Sequence, residues 1–187
     1  MGTCTLPCSR TFTYVNPGRM NSSQNQLLVG KRSGQIFWTY LYFSLDQIPE
    51  NRFLKKAKLV LFPLPGFYNQ EHNMDYLVAP TTSYFTPRTA YRENDYLTNE
   101  AILFHLTGPN DCLELDISTI VTNWYSQNYE NHGIVIMSVG MEGVQQFYGS
   151  NHGVHYPQCV VEYRQMDGII PVLQESSVLL PTSIKIL

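Results

Sequence analysis

The chain has 187 residues, 43% of them hydrophobic, enough for one domain with a real core, with or without tails. A net charge of −3 with no basic run argues against a nucleic-acid partner, and no stretch approaches the ~20 apolar residues of a membrane span. Charged residues are 14% of the chain, against roughly one quarter in ordinary soluble domains, so little repulsion keeps copies apart and assembly becomes plausible.

Residues 1–9, MGTCTLPCS, read as an arm that carries Cys4 and Cys8. It holds no apolar run that could act as a signal peptide. Met1-Gly2 superficially suggests myristoylation, but Leu6 stands where that pattern needs Ser or Thr. Residues 10–15 alternate as a short strand, and Asn16-Pro17-Gly18 signals a turn. A strand over 27–29 ends at Gly30, and Ser33-Gly34 makes a reversal. Residues 35–45 are apolar on both faces, which predicts a strand inside a sandwich or under a second layer. Ala57, Leu59 and Leu61 alternate with Lys56, Lys58 and Val60 in another strand, stopped by Pro63 and Pro65. The pattern is weak over 66–96, with a possible strand at 76–78 and a long surface connection over 81–96. A strand follows at 101–106.

Residues 113–137, LELDISTIVTNWYSQNYENHGIVIM, are the clearest unit. Leu113 and Leu115 alternate with Glu114 and Asp116 as in a half-buried strand. The period then changes to helical, with Ile117, Ile120, Val121 and Trp124 on one face. Asp116 is placed to accept a bond from a first-turn amide. Asn131-His132-Gly133 reverses the chain, Gly133 tolerating positive φ, into a β-prone strand at 134–139. Strands at 144–148 and 158–163 complete nine or ten strands and one helix, about 117–127, in an all-β antiparallel two-sheet sandwich.

Residues 165–187 form a tail, apolar in pulses: Ile169, Ile170, Val172 and Leu173, then Val178, Leu179 and Leu180, then Ile184, Ile186 and Leu187. Pro171 and Pro181 rule out one long helix. Such a tail is expected to dock on its own domain or on another chain. The expected organisation is therefore an arm (1–9), a domain (10–164) and a tail (165–187).

The succession LLVG (27–30), WTYLYFSLDQIPENRFLKKAKLVLF (38–62), the strand–helix–strand unit, and QFYGSNHGVHYPQCVVEYR (146–164) resembles the DNRLRE domain. That family is similar to carbohydrate-binding module family 96. The resemblance covers about residues 10–164. It implies a jelly-roll β-sandwich of extracellular or cell-surface proteins. Ser150-Asn151-His152 stands where the family tends to carry an acidic residue, and Phe37-Trp38 where a basic one often precedes the strand.

Nothing in the chain resembles a catalytic motif: GxSxG, HExxH and P-loop patterns are absent, so no enzyme activity, metal or cofactor is expected. His152 and His155, at i, i+3 across a loop, have no second cluster to support metal binding, and a solvated turn is the plainer reading. Asp111, Glu114 and Asp116 lie close together; Glu114 and Asp116 share a strand face, near enough to raise one pKa. Asp116 is better explained as the helix cap.

Cys159 alternates with Val161 and Tyr163 on the expected core face. Cys112 lies on the wet face with Glu114 and Asp116. For Cys4 and Cys8, disulfides between subunits, a local or intrachain bridge, and free thiols all remain open. Aromatics are 13% of the chain, with thirteen Tyr; Tyr suits half-wet contacts between subunits or against sugar rings and is equally a good strand former. Tyr84, Phe85, Tyr91 and Tyr96 are the candidates for stacking on sugars, whereas Trp38 and Trp124 read as core.

The expected function is a non-catalytic structural subunit that self-assembles into an extracellular or spore/cell-surface filament or layer. Docking of terminal arms and disulfides between subunits would hold it. The alternative is a module that binds a polysaccharide through loop aromatics.

Overall fold

The computed structural model describes residues 1–16, 19–21, 25–65, 74–85, 96–106, 112–140 and 142–166. Within these the strands are β1 (Gly2–Asn16), β2 (Arg19–Asn21), β3 (Gln26–Arg32), β4 (Gln35–Phe43), β5 (Arg52–Leu61) and β6 (Met74–Pro80). A 3-10 turn (Thr98–Glu100) leads to β7 (Ile102–Leu106) and β8 (Leu113–Asp116). Helix α1 (Ser118–Tyr125) follows, then β9 (Ile134–Val139), β10 (Gly143–Tyr148) and β11 (Gln158–Gln165). All the strand pairs are antiparallel.

Residues 1–9 are not a separate arm: all but Met1 belong to the 15-residue β1. Residues 2–7 pair with β11, Gly2 opposite Tyr163 and Leu6 opposite Cys159. The physical reason is alternation on a small scale. Leu6 and Cys8 turn inward and are buried, while Thr3, Thr5 and Pro7 face solvent. Pro7 is tolerated because it closes this ladder, where a missing N–H costs least. The register breaks between Cys8 and Arg10, and β1 continues against β4 from Arg10 opposite Tyr42 to Asn16 opposite Ile36. One strand thus serves two ladders.

The pairing runs β7-β6-β9-β4-β1-β11-β5-β8. β3 pairs with β10 along residues 26–31 and with the start of β4 only at residues 30–32. Beyond the end of β5, the Tyr148 N–H donates to the Phe62 carbonyl (2.9 Å) and the Leu64 N–H to the Gln146 carbonyl (3.0 Å). The path β4-β1-β11-β5-β10-β3 therefore returns to β4, and the sheet nearly closes on itself. Closure removes edges that would otherwise offer unpaired backbone groups.

The strands wrap one core that includes Leu6, Leu41, Phe43, Leu59, Phe147 and Cys159. Helix α1 lies against it through Ile117, Ile120, Val121 and Trp124, all buried. The helix is shorter than the expected 117–127. Asp116 accepts the Ser118 N–H at 3.0 Å, and the Ser118 hydroxyl in turn holds the Ala57 N–H, tying the helix start to β5.

Where β3 leaves β4, buried threonines replace ladder bonds. Thr13 Oγ1 accepts the Leu28 N–H (3.0 Å), and Thr39 Oγ1 donates to the Leu28 carbonyl (2.8 Å). The two hydroxyls also lie 3.0 Å apart.

A second apolar cluster lies on the other face of β4: Phe12, Tyr40, Ala79, Phe85, Val135 and Met137. This explains why β4 is apolar on both faces. The connection expected to run over the surface from 81 to 96 is anchored at its ends: Thr81 and Phe85 are buried, and Thr81 bridges Tyr96.

Candidate functional site

Three of the four thiols, Cys4, Cys8 and Cys159, lie on or directly beside the first strand. Cys4 faces Val161, and Leu6 faces Cys159, so Cys159 lies diagonally between Cys4 and Cys8. All four cysteines are free thiols. Diagonal neighbours across a ladder have Cα atoms about 7–8 Å apart, beyond the ~4.4–6.8 Å that a disulfide spans. The Cys8 Sγ lies 3.2 Å from the Arg10 carbonyl and 3.4 Å from the Tyr42 carbonyl, either of which accepts its S–H. Burial pushes Cys8 up to about 12, against a partial lowering by those two backbone bonds. Burial, and then the neighbouring Cys4 and Cys8, push Cys159 up to about 12 as well. Burial raises Cys4 too. The thiolate that attacks a disulfide is thereby suppressed. Cys8 is a core residue rather than a group on a reaching arm, and Cys159 is buried in the core as its alternation with Val161 predicts. Cys4 is half-buried, and Cys112 is half-buried just ahead of β8.

Of the aromatics expected to meet sugars, Tyr84, Phe85 and Tyr96 come to the outer face of β4; Tyr91 lies outside the described residues. Phe85 is buried, 5.1 Å from both Phe12 and Tyr40, which stack on each other at 4.8 Å. It cannot present a ring to solvent. Tyr96 meets Trp38 edge-on at 6.1 Å, and both are half-buried. Among the described members of this set, only Tyr84 is open, at 38% exposure. The guanidinium of Arg10 sits 4.9 Å from its ring and 5.9 Å from that of Tyr42. His132 meets Tyr84 edge-on at 6.2 Å and reaches Glu130 at 3.1 Å. Tyr42 is raised above the usual tyrosine value by burial, then by Tyr84. Sequence reading missed Arg10, because its place beside Tyr84 depends on the β1–β4 pairing.

His152 and His155 do not converge on a point. Their rings lie 5.5 Å apart at 30°, and the His155 N–H donates to His152 Nδ1 at 2.8 Å. Tyr148 and Phe62 cover them. No group of three or more His, Cys, Asp or Glu is arranged to hold a metal among the described residues. Glu114 pairs with Lys58 at 2.6 Å. Asp116 is held below the usual carboxylate range by its bonds from Ser118. Asp111 and the tail beyond Met166 lie outside the described residues.

No family model matches the chain, and no curated protein matches it. No helix among the described residues is long and apolar enough to cross a membrane.

Proposed function

We propose that the protein is a non-catalytic structural subunit that joins copies of itself into a filament or layer at a cell or spore surface. The linking element is the strand of residues 2–7. One observation carries this reading. That strand is the first of the fold, it pairs among the described residues only with β11, and a register break at Cys8–Arg10 sets it off from the rest of β1. Its inward residues are Cys4 and Leu6, and Leu6 is fully buried in the core.

A segment of this kind, paired on one side only among the described residues, can leave its own β11 and take the same place on a neighbour. The hydrogen bonds and apolar packing given up at home re-form in an identical setting, so exchange costs little. Each subunit gives one strand and accepts one, a head-to-tail relation that grows a filament where the rotation does not close. The donated Cys4 would then lie diagonal to the neighbour's Cys159. A covalent lock between these two thiols is part of the proposal: the backbone draws closer, and an external small-molecule disulfide takes up the two electrons and both thiol protons, leaving as two thiols while the Cys4–Cys159 bond forms. We read the strand order as a two-sheet jelly roll, in keeping with the DNRLRE resemblance.

The test is negative-stain imaging and light scattering of the full chain in reductant, beside a chain lacking residues 1–7. Polymers that grow with concentration in the first and are absent in the second are expected. Monomers at every concentration of the full chain would sink the reading.

A second reading, polysaccharide binding, is favoured by Tyr84, open beside the Arg10 guanidinium. A ring face and a cation suit a sugar bearing a carboxylate. Affinity gels with neutral and uronate polysaccharides test it, with Tyr84→Ala abolishing retardation. Uniform lack of retardation would exclude it.

A further inference from the structure

A cleft of about 570 Å³ opens where the start of β5, the end of α1 and the end of β11 meet. Phe53, Leu54, Tyr125 and Met166 supply its apolar wall, and Arg52 and Gln127 are at its polar side. Two features show that this surface is incomplete. Phe53 and Met166, both large and apolar, are 48% and 54% exposed on the same cleft. The Arg52 Nε is buried and has no hydrogen-bond partner among the described residues, although a buried donor normally finds one. The Tyr125 hydroxyl is already committed, accepting the Arg52 N–H and donating to the Pro49 carbonyl. The wall is therefore fixed while its outer side stays open.

The geometry points to an occupant within the same chain: residues 169–173, Ile-Ile-Pro-Val-Leu. The described residues end at Met166, itself a wall of the cleft, and 21 residues follow it. Residues 167–169 alone span up to about 10 Å, enough to turn back into the opening. Ile169, Ile170, Val172 and Leu173 supply the apolar surface that Phe53 and Met166 lack. Pro171 has no backbone N–H, so the segment brings one fewer donor that would need a partner in an apolar cleft. The segment's backbone carbonyls offer the acceptor that Arg52 Nε needs. Covering exposed apolar surface on both partners is what drives such docking. This inference is independent of strand exchange, because it concerns the other end of the sequence and a different surface.

The test uses the full chain with a benzophenone amino acid in place of Ile170. Irradiation followed by peptide mapping is expected to join position 170 to the 52–54 and 122–127 peptides within one molecule. Phe53→Asp in the same chain, with circular dichroism unchanged, is expected to lower that yield roughly tenfold, the equivalent of losing a buried aromatic contact. Cross-links to other surfaces would overturn the proposal. So would cross-links to these peptides only between two molecules, which would make a second copy the occupant. A yield indifferent to Phe53→Asp would overturn it as well.

Discussion

Leu6 lies directly opposite Cys159 across the β1–β11 ladder, and both side chains are fully buried. The first strand therefore plugs the core rather than decorating it. Gly2 at its outer end meets the Tyr163 ring, where an added Cβ would come within 2.7 Å of the ring carbons. The inward face is thus held at both ends, by Leu6 and by Gly2.

Leu6→Ala removes a core side chain at the point where β1 joins β11. A loss of about 2–5 kcal/mol in unfolding free energy is expected, read from urea midpoints. Thr5→Ala, one position along on the solvent face, should stay within about 0.5 kcal/mol. Equal effects would mean that residues 2–7 do not hold this register.

The buried thiols make stability fall at alkaline pH. Cys8 and Cys159 have folded values pushed up to about 12 from an unfolded 9.0, so between these values the folded chain holds more protons. Their contribution is complete below pH 9.0 and drains away as pH rises towards about 12. Urea midpoints at about pH 8 and about pH 10.5 should fall further for the natural chain than for Cys8→Ala/Cys159→Ala. Parallel declines would show that these thiols do not contribute the slope.

Thr39→Val keeps the shape of the side chain and removes its hydroxyl. The Leu28 carbonyl then loses its 2.8 Å donor in a part-buried setting, at a cost of about 1 kcal/mol. Thermal unfolding measures it. An unchanged midpoint would mean that water reaches this carbonyl.

Gly133 and Gly34 both have positive φ, 99° and 76°. An added Cβ at Gly133 would lie 2.6 Å from the Leu41 carbonyl oxygen and from the Phe85 ring, whereas at Gly34 it meets nothing within 4 Å. Gly34→Ala should cost about 1 kcal/mol for conformation alone. Gly133→Ala should cost more, by about 1–3 kcal/mol for the crowding. Equal losses would show that the 131–133 turn gives way easily.

Local patterns carried much of this fold. The 3.6 period of Ile117, Ile120, Val121 and Trp124 put the helix face in the core, and the both-sided apolarity of β4 required cover on two sides. Cys159 was legible as core from its alternation with Val161. The first strand was not legible. Its inward residues are one Leu and two Cys, and Pro7 looks like a breaker until the ladder is known to end there. Closure through Phe62, Gln146 and Tyr148 depends on pairings between distant parts of the chain, which no local period encodes. The same holds for the candidate surfaces. Tyr84 was visible as a loop aromatic, but Arg10 reaches it only through β1–β4 register.

Strand exchange is tested most directly by binding in trans. A chain lacking residues 1–7 is mixed with a synthetic peptide of residues 1–9, and anisotropy of the labelled peptide is followed. Exchange predicts saturable one-to-one binding that Leu6→Asp in the peptide abolishes. A truncated domain that stays folded and leaves the peptide free at all concentrations would contradict it.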